Sequence, residues 1–355
     1  MYLRLFYFKF EQTFVHLKGN VTITDISRES KVSVSTVSRV LNGLSRQYRI
    51  SKETEDTVMK IARKLHYRPN LTAVNLRRKK SNTIGLLVPT LFNPFFSNIA
   101  SIVNHELRKN GYSVILMDCG EDEKTELEVL EFLVDRRIDG LLVMPSGHDC
   151  PHLDALYTKG MPMVCIDRYF ESSAIPFVST NNFQGAYELT KYLVSCGHKR
   201  IACIQGVNYV MPNKQRVAGY TAALADAGLP VYYIGGQDFS EENGYLETKL
   251  LLQQQVKPTA IFGLSDTIIL GAIKALKEEG MTVPDDVSLA TFDNALYLDY
   301  LAPALTSVVQ PVAEIAQIAI RILLERMSGE PEGKRQQEKI LLSPRIIHRA
   351  SVREI

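Results

Sequence analysis

From residue 84 onward, short runs of Val, Ile and Leu alternate with amphipathic helical stretches. That alternation is the pattern of a parallel sheet flanked by helices, and no other feature of the chain constrains the fold so strongly. Candidate strands fall at 84–88, 113–117, 140–144, 163–166, 201–204, 260–262 and 287–292. Seven are too many for one small sheet, and 178–182 reads as a break between two lobes. In open α/β sheets ligands gather at the carboxyl ends of the strands. The residues just past those ends are unusually polar here: Asn93 with Phe95 and Phe96, Asp167 with Arg168, the loop leading to Arg216, Ser265 with Asp266, and Asp293 with Asn294. Carboxylates accept paired hydroxyls, Arg donates to them and rings cover an apolar sugar face, so such a cleft suits a polyol. Each polar side chain also has a plainer reading, as a helix cap or an ion pair between lobes.

At 355 residues the chain is long enough for two or three compact units. Its charge is divided unevenly: residues 18–80 carry 15 basic and 5 acidic side chains, whereas 81–355 carry 24 and 33. One end is therefore built to meet an anion. Within 32–42, Val37, Val40 and Leu41 share one helix face, while Ser35, Ser38, Arg39 and Asn42 share the other. Short hydroxyls, an amide and a guanidinium suit phosphates and base edges. Ser33 is a natural N-cap for this helix. Upstream, Thr24 can cap a short helix through Ser30 with Ile26 inward. Downstream, Ser51 can cap a longer one with Val58, Ile61, Ala62 and Leu65 as its apolar stripe. Three short helices with a tight turn between the first two describe a helix-turn-helix.

The stretch VTITDISRESKVSVSTVSRVLNG resembles the signature helix-turn-helix of the LacI/GalR family of bacterial repressors. That resemblance implies base-reading positions for Val34, Ser35 and Arg39, and mainly backbone contacts for Thr36, Ser38 and Asn42. Thr24, Arg49 and Asn70 complete the set expected at double-stranded operator DNA. It further implies a hinge that becomes helical on the operator, with Leu76 as the wedge between base pairs. Lys31 stands where the family often has Gly, a position that favours left-handed backbone, and Val74 where many members have Arg. The segment 43–51 is longer than usual and is similar to that of the fructose repressor branch, adding Arg46 and Arg49.

The segments IGLLVP, GYSVIL, DGLLVMP, IDR, GHKRIA, R-VAGY, PDDVSLATFDN, LTSVVQP and PRIIHRASV resemble the family's periplasmic-binding-protein-like core. The fold expected is an all-α helix-turn-helix head followed by an α/β two-lobe core of type I. The divisions expected are an extension of unknown role (1–20), the DNA-binding domain (21–69), a hinge (70–82) and an effector-binding, dimerising core (83–355). One lobe of that core would take 83–180 and 310–340, the other 181–309 and 341–355. By the resemblance Asp167, Arg216, Ser265 and Asp293 lie where effectors bind, with Phe95 and Phe239 as aromatic walls, and the strand-end reading adds Asn93 and Arg168 to the effector-binding set. Ser265 replaces a common Asn.

The function expected is a sequence-specific transcriptional regulator, a repressor of carbohydrate-utilisation genes. A sugar or sugar phosphate between the lobes would control it, and it would act as a homodimer, with a tetramer as the larger alternative. The rival is a secreted or periplasmic sugar-binding receptor, which would need a signal peptide and no helix-turn-helix. Charges interrupt the aromatic opening and no small-residue cleavage site follows it. Five cysteines, an odd number, point to a reducing cytosol, and no apolar run reaches the roughly 18 residues needed to span a membrane. The run His148-Asp149-Cys150-Pro151-His152 invites a metal, but adjacent loop residues rarely face one ion and no second ligand cluster accompanies them. No nucleophile elbow, phosphate loop or dinucleotide fingerprint is present, so binding without turnover, and without a cofactor, is the expectation.

Overall fold

The computed structural model describes residues 21–67, 80–328 and 338–355. Residues 1–20, Asn70, Val74 and Leu76 lie outside them, and with them most of the expected hinge. The chain divides into two compact units between Lys79 and Lys80.

The first unit has three helices, α1 (Ile23–Ser30), α2 (Val34–Leu41) and α3 (Lys52–Lys64). The cap of α1 is Thr22 rather than Thr24, because Asp25 closes a reciprocal box: Thr22 N donates to Asp25 Oδ2 at 2.9 Å and Asp25 N to Thr22 Oγ1 at 3.3 Å. Lys31 ends α1 at φ 56°, ψ 26°, in the left-handed region, and Ser27 Oγ pins the turn by donating to Val32 O at 2.6 Å. Ser33 caps α2 and Ser51 caps α3. Ile26, Val37, Val40, Val58 and Ala62 are buried, with Ile61 and Leu65 packed against them. So few apolar side chains make a small core, and the short turns and three caps carry much of the geometry.

The second unit holds two six-stranded sheets. In chain order its elements are β1 (Thr83–Val88), α4 (Pro94–Lys109), β2 (Ser113–Asp118), α5 (Glu123–Asp135), β3 (Gly140–Val143), α6 (Pro151–Thr158), β4 (Met163–Ile166) and β5 (Phe177–Thr180). Then come α7 (Asn182–Ser195), β6 (Ile201–Ile204), α8 (Met211–Asp226), β7 (Tyr233–Gly235), α9 (Glu241–Leu252), β8 (Ala260–Gly263), α10 (Asp266–Glu278) and β9 (Ser288–Phe292). Beyond the short 3-10 turn Leu296–Asp299, the chain finishes with β10 (Thr306–Val309), α11 (Val312–Met327), β11 (Lys339–Leu342) and β12 (Arg345–Ile347).

The first sheet runs β11-β5-β4-β3-β1-β2, all parallel. The second runs β12-β10-β9-β8-β6-β7, parallel except for β12. Central strands such as GLLV, MVCI and IACI are buried at every position, as expected of parallel strands covered on both faces. The chain passes between the sheets three times, after β5, after β10 and after β11. Helix α11 therefore returns to the first lobe, where Ile315, Ala316, Ala319 and Leu323 pack with Ile84, Leu86 and Val88. The region 178–182, read from sequence as a break, is both strand β5 and the first crossing. Ser179 and Thr180 interrupt its apolar run, yet both are buried and hydrogen-bonded.

At the α9–α10 contact Gly244 and Gly271 let backbones touch, since a Cβ on either would lie 1.9 Å from a carbonyl oxygen of the other helix. All five cysteines are buried and free. Among the described residues no helix is long and apolar enough to cross a membrane.

Candidate nucleic-acid interface and ligand cleft

Helix α2 buries Val37 and Val40 and leaves the opposite face open. Val34 is 47% exposed, and Ser35 and Arg39 are exposed with it. Its first turn holds no acidic residue, so the positive end of the helix is not neutralised. Arg39 lies over the ring of Tyr48, 4.0 Å from its centroid. The long segment after α2 thus supplies an aromatic seat for the expected guanine reader. Ser35 and Thr36 share hydroxyl contacts with the cap Ser33, at 3.1 and 2.9 Å. Asn42 turns its amide back on its own helix, donating to Ser38 O at 2.6 Å. Thr24 is exposed on α1, and Arg49 is exposed at φ 52°.

In the second unit, Asn93, Phe95, Asp167, Arg168, Arg216, Phe239, Ser265 and Asp293 all line a single cavity, joined by Phe96, Val210 and Pro212. Its volume is about 300 Å³ including the open mouth. One wall comes from loops after β1 and β4 of the first sheet, the other from loops after β6, β7, β8 and β9 of the second. Strand-end placement explains most of the convergence, because the loops and helix starts beyond these strands carry the side chains, with Arg216 further along α8.

Asp167 and Asp293 both adopt left-handed backbone, φ 62° and 72°, directly after β4 and β9. Asp tolerates this conformation better than most residues, and such outliers cluster at binding sites. Arg216 lies between them and is 4% exposed. Its Nε donates to Asn182 Oδ1 at 2.8 Å and its Nη1 to Leu264 O at 2.7 Å, while its plane covers Phe292 at 3.8 Å. Its separation from Asp293 Oδ2 is 3.8 Å. Burial raises the carboxyl of Asp293 and lowers the Arg216 guanidinium from their ordinary values, outweighing their attraction.

Asp167 is the more exposed chemically. Its Oδ1 is buried without a hydrogen-bond partner, and burial pushes its carboxyl up to about 6 against the pull of Arg216 and Arg168. Behind the wall, burial and the neighbouring Asp293 push Asp266 up to about 7. An acceptor without a donor, on a residue that lines a cavity, is a place for a ligand hydroxyl or N–H.

Arg168 is otherwise engaged. It forks onto Glu121 at 2.6 and 2.7 Å and reaches Pro145 O at 3.3 Å, and it lines the cavity as well, so the ion-pair reading and the cleft reading hold together. Burial disfavours its charge, and Glu121 more than offsets that, raising it. Ser265 caps α10, accepting from Ile268 N at 3.3 Å, and Asn93 caps α4, accepting from Phe95 N at 2.9 Å. For these two the cap reading and the cavity reading hold together. Phe239 is seated on Gly206, where a Cβ would meet its ring at 2.3 Å.

Sequence reasoning missed Asn182, which orients Arg216, Glu121, which neutralises Arg168, and Gln310, which donates to the Asp293 carboxylate. Gln310 follows β10, so the same strand-end rule finds it once that strand is recognised. It also missed the contact across the cleft, where Tyr209 stacks on His148 with centroids 3.6 Å apart and donates to Ser146 O at 3.1 Å. The neighbouring His152 pairs with the buried Glu126 at 2.7 Å. Among the described residues no group of three or more His, Cys, Asp or Glu side chains could hold a metal ion.

Comparison with known proteins gives two family matches: the bacterial regulatory proteins, lacI family, over residues 22–70, and the periplasmic binding proteins and sugar binding domain of LacI family over residues 81–327. The ribose operon repressor of Haemophilus influenzae is 34% identical over 333 residues, 93% of this chain and 98% of that protein. The HTH-type transcriptional repressor PurR of the same species is 34% identical over 338 residues, 94% of this chain and 99% of its own length. Among solved structures, a LacI family transcriptional regulator from Enterococcus faecium with bound ribose has a TM-score of 0.69 at 29% identity, covering 77% of this chain and 99% of that one.

Proposed function

The chain belongs to the lacI family of bacterial regulatory proteins, and from that membership we propose that a carbohydrate bound between the two lobes of its core controls its affinity for operator DNA. It is a DNA-binding transcriptional regulator and not an enzyme. The rival reading, a secreted sugar receptor, fails on the DNA-binding family match at residues 22–70. The observation that carries the proposal is the convergence of Asp167, Arg216, Asp293 and the phenylalanines on one cavity, with Asp167 Oδ1 lacking a donor.

On the DNA side we assign Val34, Ser35 and Arg39 to base edges, Val34 by its methyls and Arg39 by a bidentate donor to guanine. Thr24, Thr36, Ser38, Asn42 and Arg49 are assigned to the phosphate backbone, and Asn70 and Leu76 to the hinge. The module occupies 21–69 and the core 83–355, its lobes exchanging near residues 180, 310 and 341. A cytoplasmic homodimer reading a pseudo-palindrome matches protein symmetry to operator symmetry. Effector closing the cleft biases the lobes toward one arrangement, and that bias is what reaches the DNA. The test is fluorescence anisotropy on palindromic and scrambled duplexes across a salt series, with and without sugars. Preference for the palindrome, a steep salt slope and a sugar-dependent shift are expected. Equal binding to both duplexes at every salt concentration overturns the assignment.

A further inference from the structure

Two carboxylates and two guanidiniums line the ligand space, and two further carboxylates, Glu121 and Asp266, act on these groups from outside the lining. Asp167 and Asp293 line the cavity. Asp266 stands behind Asp293, and the two carboxyls act on each other. Glu121 holds Arg168 by two short bonds, so that cation is already neutralised. Arg216 is the one remaining lining cation among the described residues, and it faces Asp293 at 3.8 Å while spending two N–H groups on Asn182 and Leu264. The balance around the cavity is therefore negative, and its unsatisfied atom, Asp167 Oδ1, is an acceptor. Neither property serves a phosphate, which brings roughly two negative charges and three acceptor oxygens. Both serve hydroxyl groups, which donate to carboxylates without adding charge.

The lining adds a second, apolar feature. Phe95 and Phe96 from one lobe and Phe239 from the other close it with aromatic surface.

We propose that the cleft takes an uncharged polyol and rejects the phosphate ester of the same sugar. This rests on the reading of the cleft as a carbohydrate site. The selection is electrostatic. A buried like-charge juxtaposition is costly enough to separate parent and ester by roughly 100-fold or more in Kd.

The experiment is calorimetric titration of the full chain with ribose, fructose and glucose, each paired with its ribose 5-phosphate, fructose 1-phosphate or glucose 6-phosphate ester. Binding of a parent sugar with its ester roughly 100-fold weaker or undetected is the expected result. An ester that binds as tightly as its parent, or inorganic phosphate that competes with the parent, overturns the proposal and leaves the carbohydrate reading standing. Silence from both arms removes the carbohydrate reading, and the proposal falls with it. Glu121→Gln, which releases the charge of Arg168, is expected to narrow the parent-to-ester ratio by roughly tenfold. A merely structural defect lowers both affinities and leaves the ratio where it was, and an unchanged ratio in the folded variant overturns charge as the cause.

Discussion

Gln310 donates its side-chain amide to the carboxylate of Asp293. The same glutamine accepts from Thr180 Oγ1 at 2.5 Å. Thr180 closes β5 at the first crossing between the lobes and Gln310 follows β10 at the second, so a wall of the cleft and two of the three crossings share one hydrogen-bonded chain. A ligand that draws on Asp293 pulls directly on the place where the lobes articulate.

Gln310→Ala should therefore affect response more than shape. Loss of one charge-assisted hydrogen bond costs about 1.5–3 kcal/mol, part of which appears as weaker effector binding. Calorimetry should give a Kd raised about tenfold, with a smaller effector-driven shift in operator anisotropy. Unchanged values in both assays would remove Gln310 from the coupling.

Tyr209→Phe keeps the stack on His148 but deletes the bond to Ser146 O. Adding His148→Ala deletes the stack as well. Each interaction is worth about 1 kcal/mol, so effector affinity should fall about fivefold and then about thirtyfold as the closed cleft loses its clasp. Stopped-flow fluorescence should place the loss in the dissociation rate. A slower association rate alone would count against the clasp.

The buried acids set a pH dependence whose sign is fixed. Asp167 titrates near about 6 and Asp266 near about 7, against 3.8 for a free Asp side chain. Between about 4 and 7 the folded chain holds more protons than the unfolded one, so these two groups make the core less stable as pH rises through that window. Asp167→Asn removes one of them. At pH 8 its core transition should be stabilised by about 1–3 kcal/mol over the parent, and the two should converge toward pH 4. Calorimetry at both values checks it, and parallel curves would contradict it. The same variant should weaken effector binding, since the amide offers one neutral acceptor oxygen where the carboxylate offers two charged ones.

In the amino-terminal unit, Lys31→Gly relieves the left-handed turn. Stabilisation of about 0.5–1 kcal/mol is expected, read by hydrogen exchange of the α1 and α2 amides in the full chain. Tyr48→Ala removes the ring beneath Arg39 and should weaken operator binding about three- to fivefold. Arg39→Ala should lose roughly tenfold or more, chiefly at the base pair it reads.

Much of this was legible because burial and chemistry coincide in the sequence. Strands such as GLLV and MVCI are apolar throughout and announce themselves, and Asp167 and Asp293 stand out as acids immediately beyond such runs. Where polar residues are buried with partners, the pattern fails. Ser179 and Thr180 look like a loop until Asp167 O and Gln310 are seen to satisfy them. Strand β7 has three half-buried residues and β12 three at an edge, too short for a period to show. The true cap of α1 was hidden because Thr22 and Thr24 are chemically alike, and Asp25 at the third helical position decides between them. The pairing of Arg168 with Glu121 could not be read because the two lie 47 residues apart.

The three passages between the sheets also bear on how the molecule comes into being. Neither lobe is a continuous stretch of chain: the first sheet waits for β11 at its edge, and the second for β12, while Ile355 N bonds Cys196 O and Ser351 bonds strand β9. Domains fold as units while the chain emerges amino end first, so the helix-turn-helix is complete long before the sensor can close. A newly made chain thus acquires its means of touching DNA early and its means of being answered only once β12 and the residues up to Ile355 have been made.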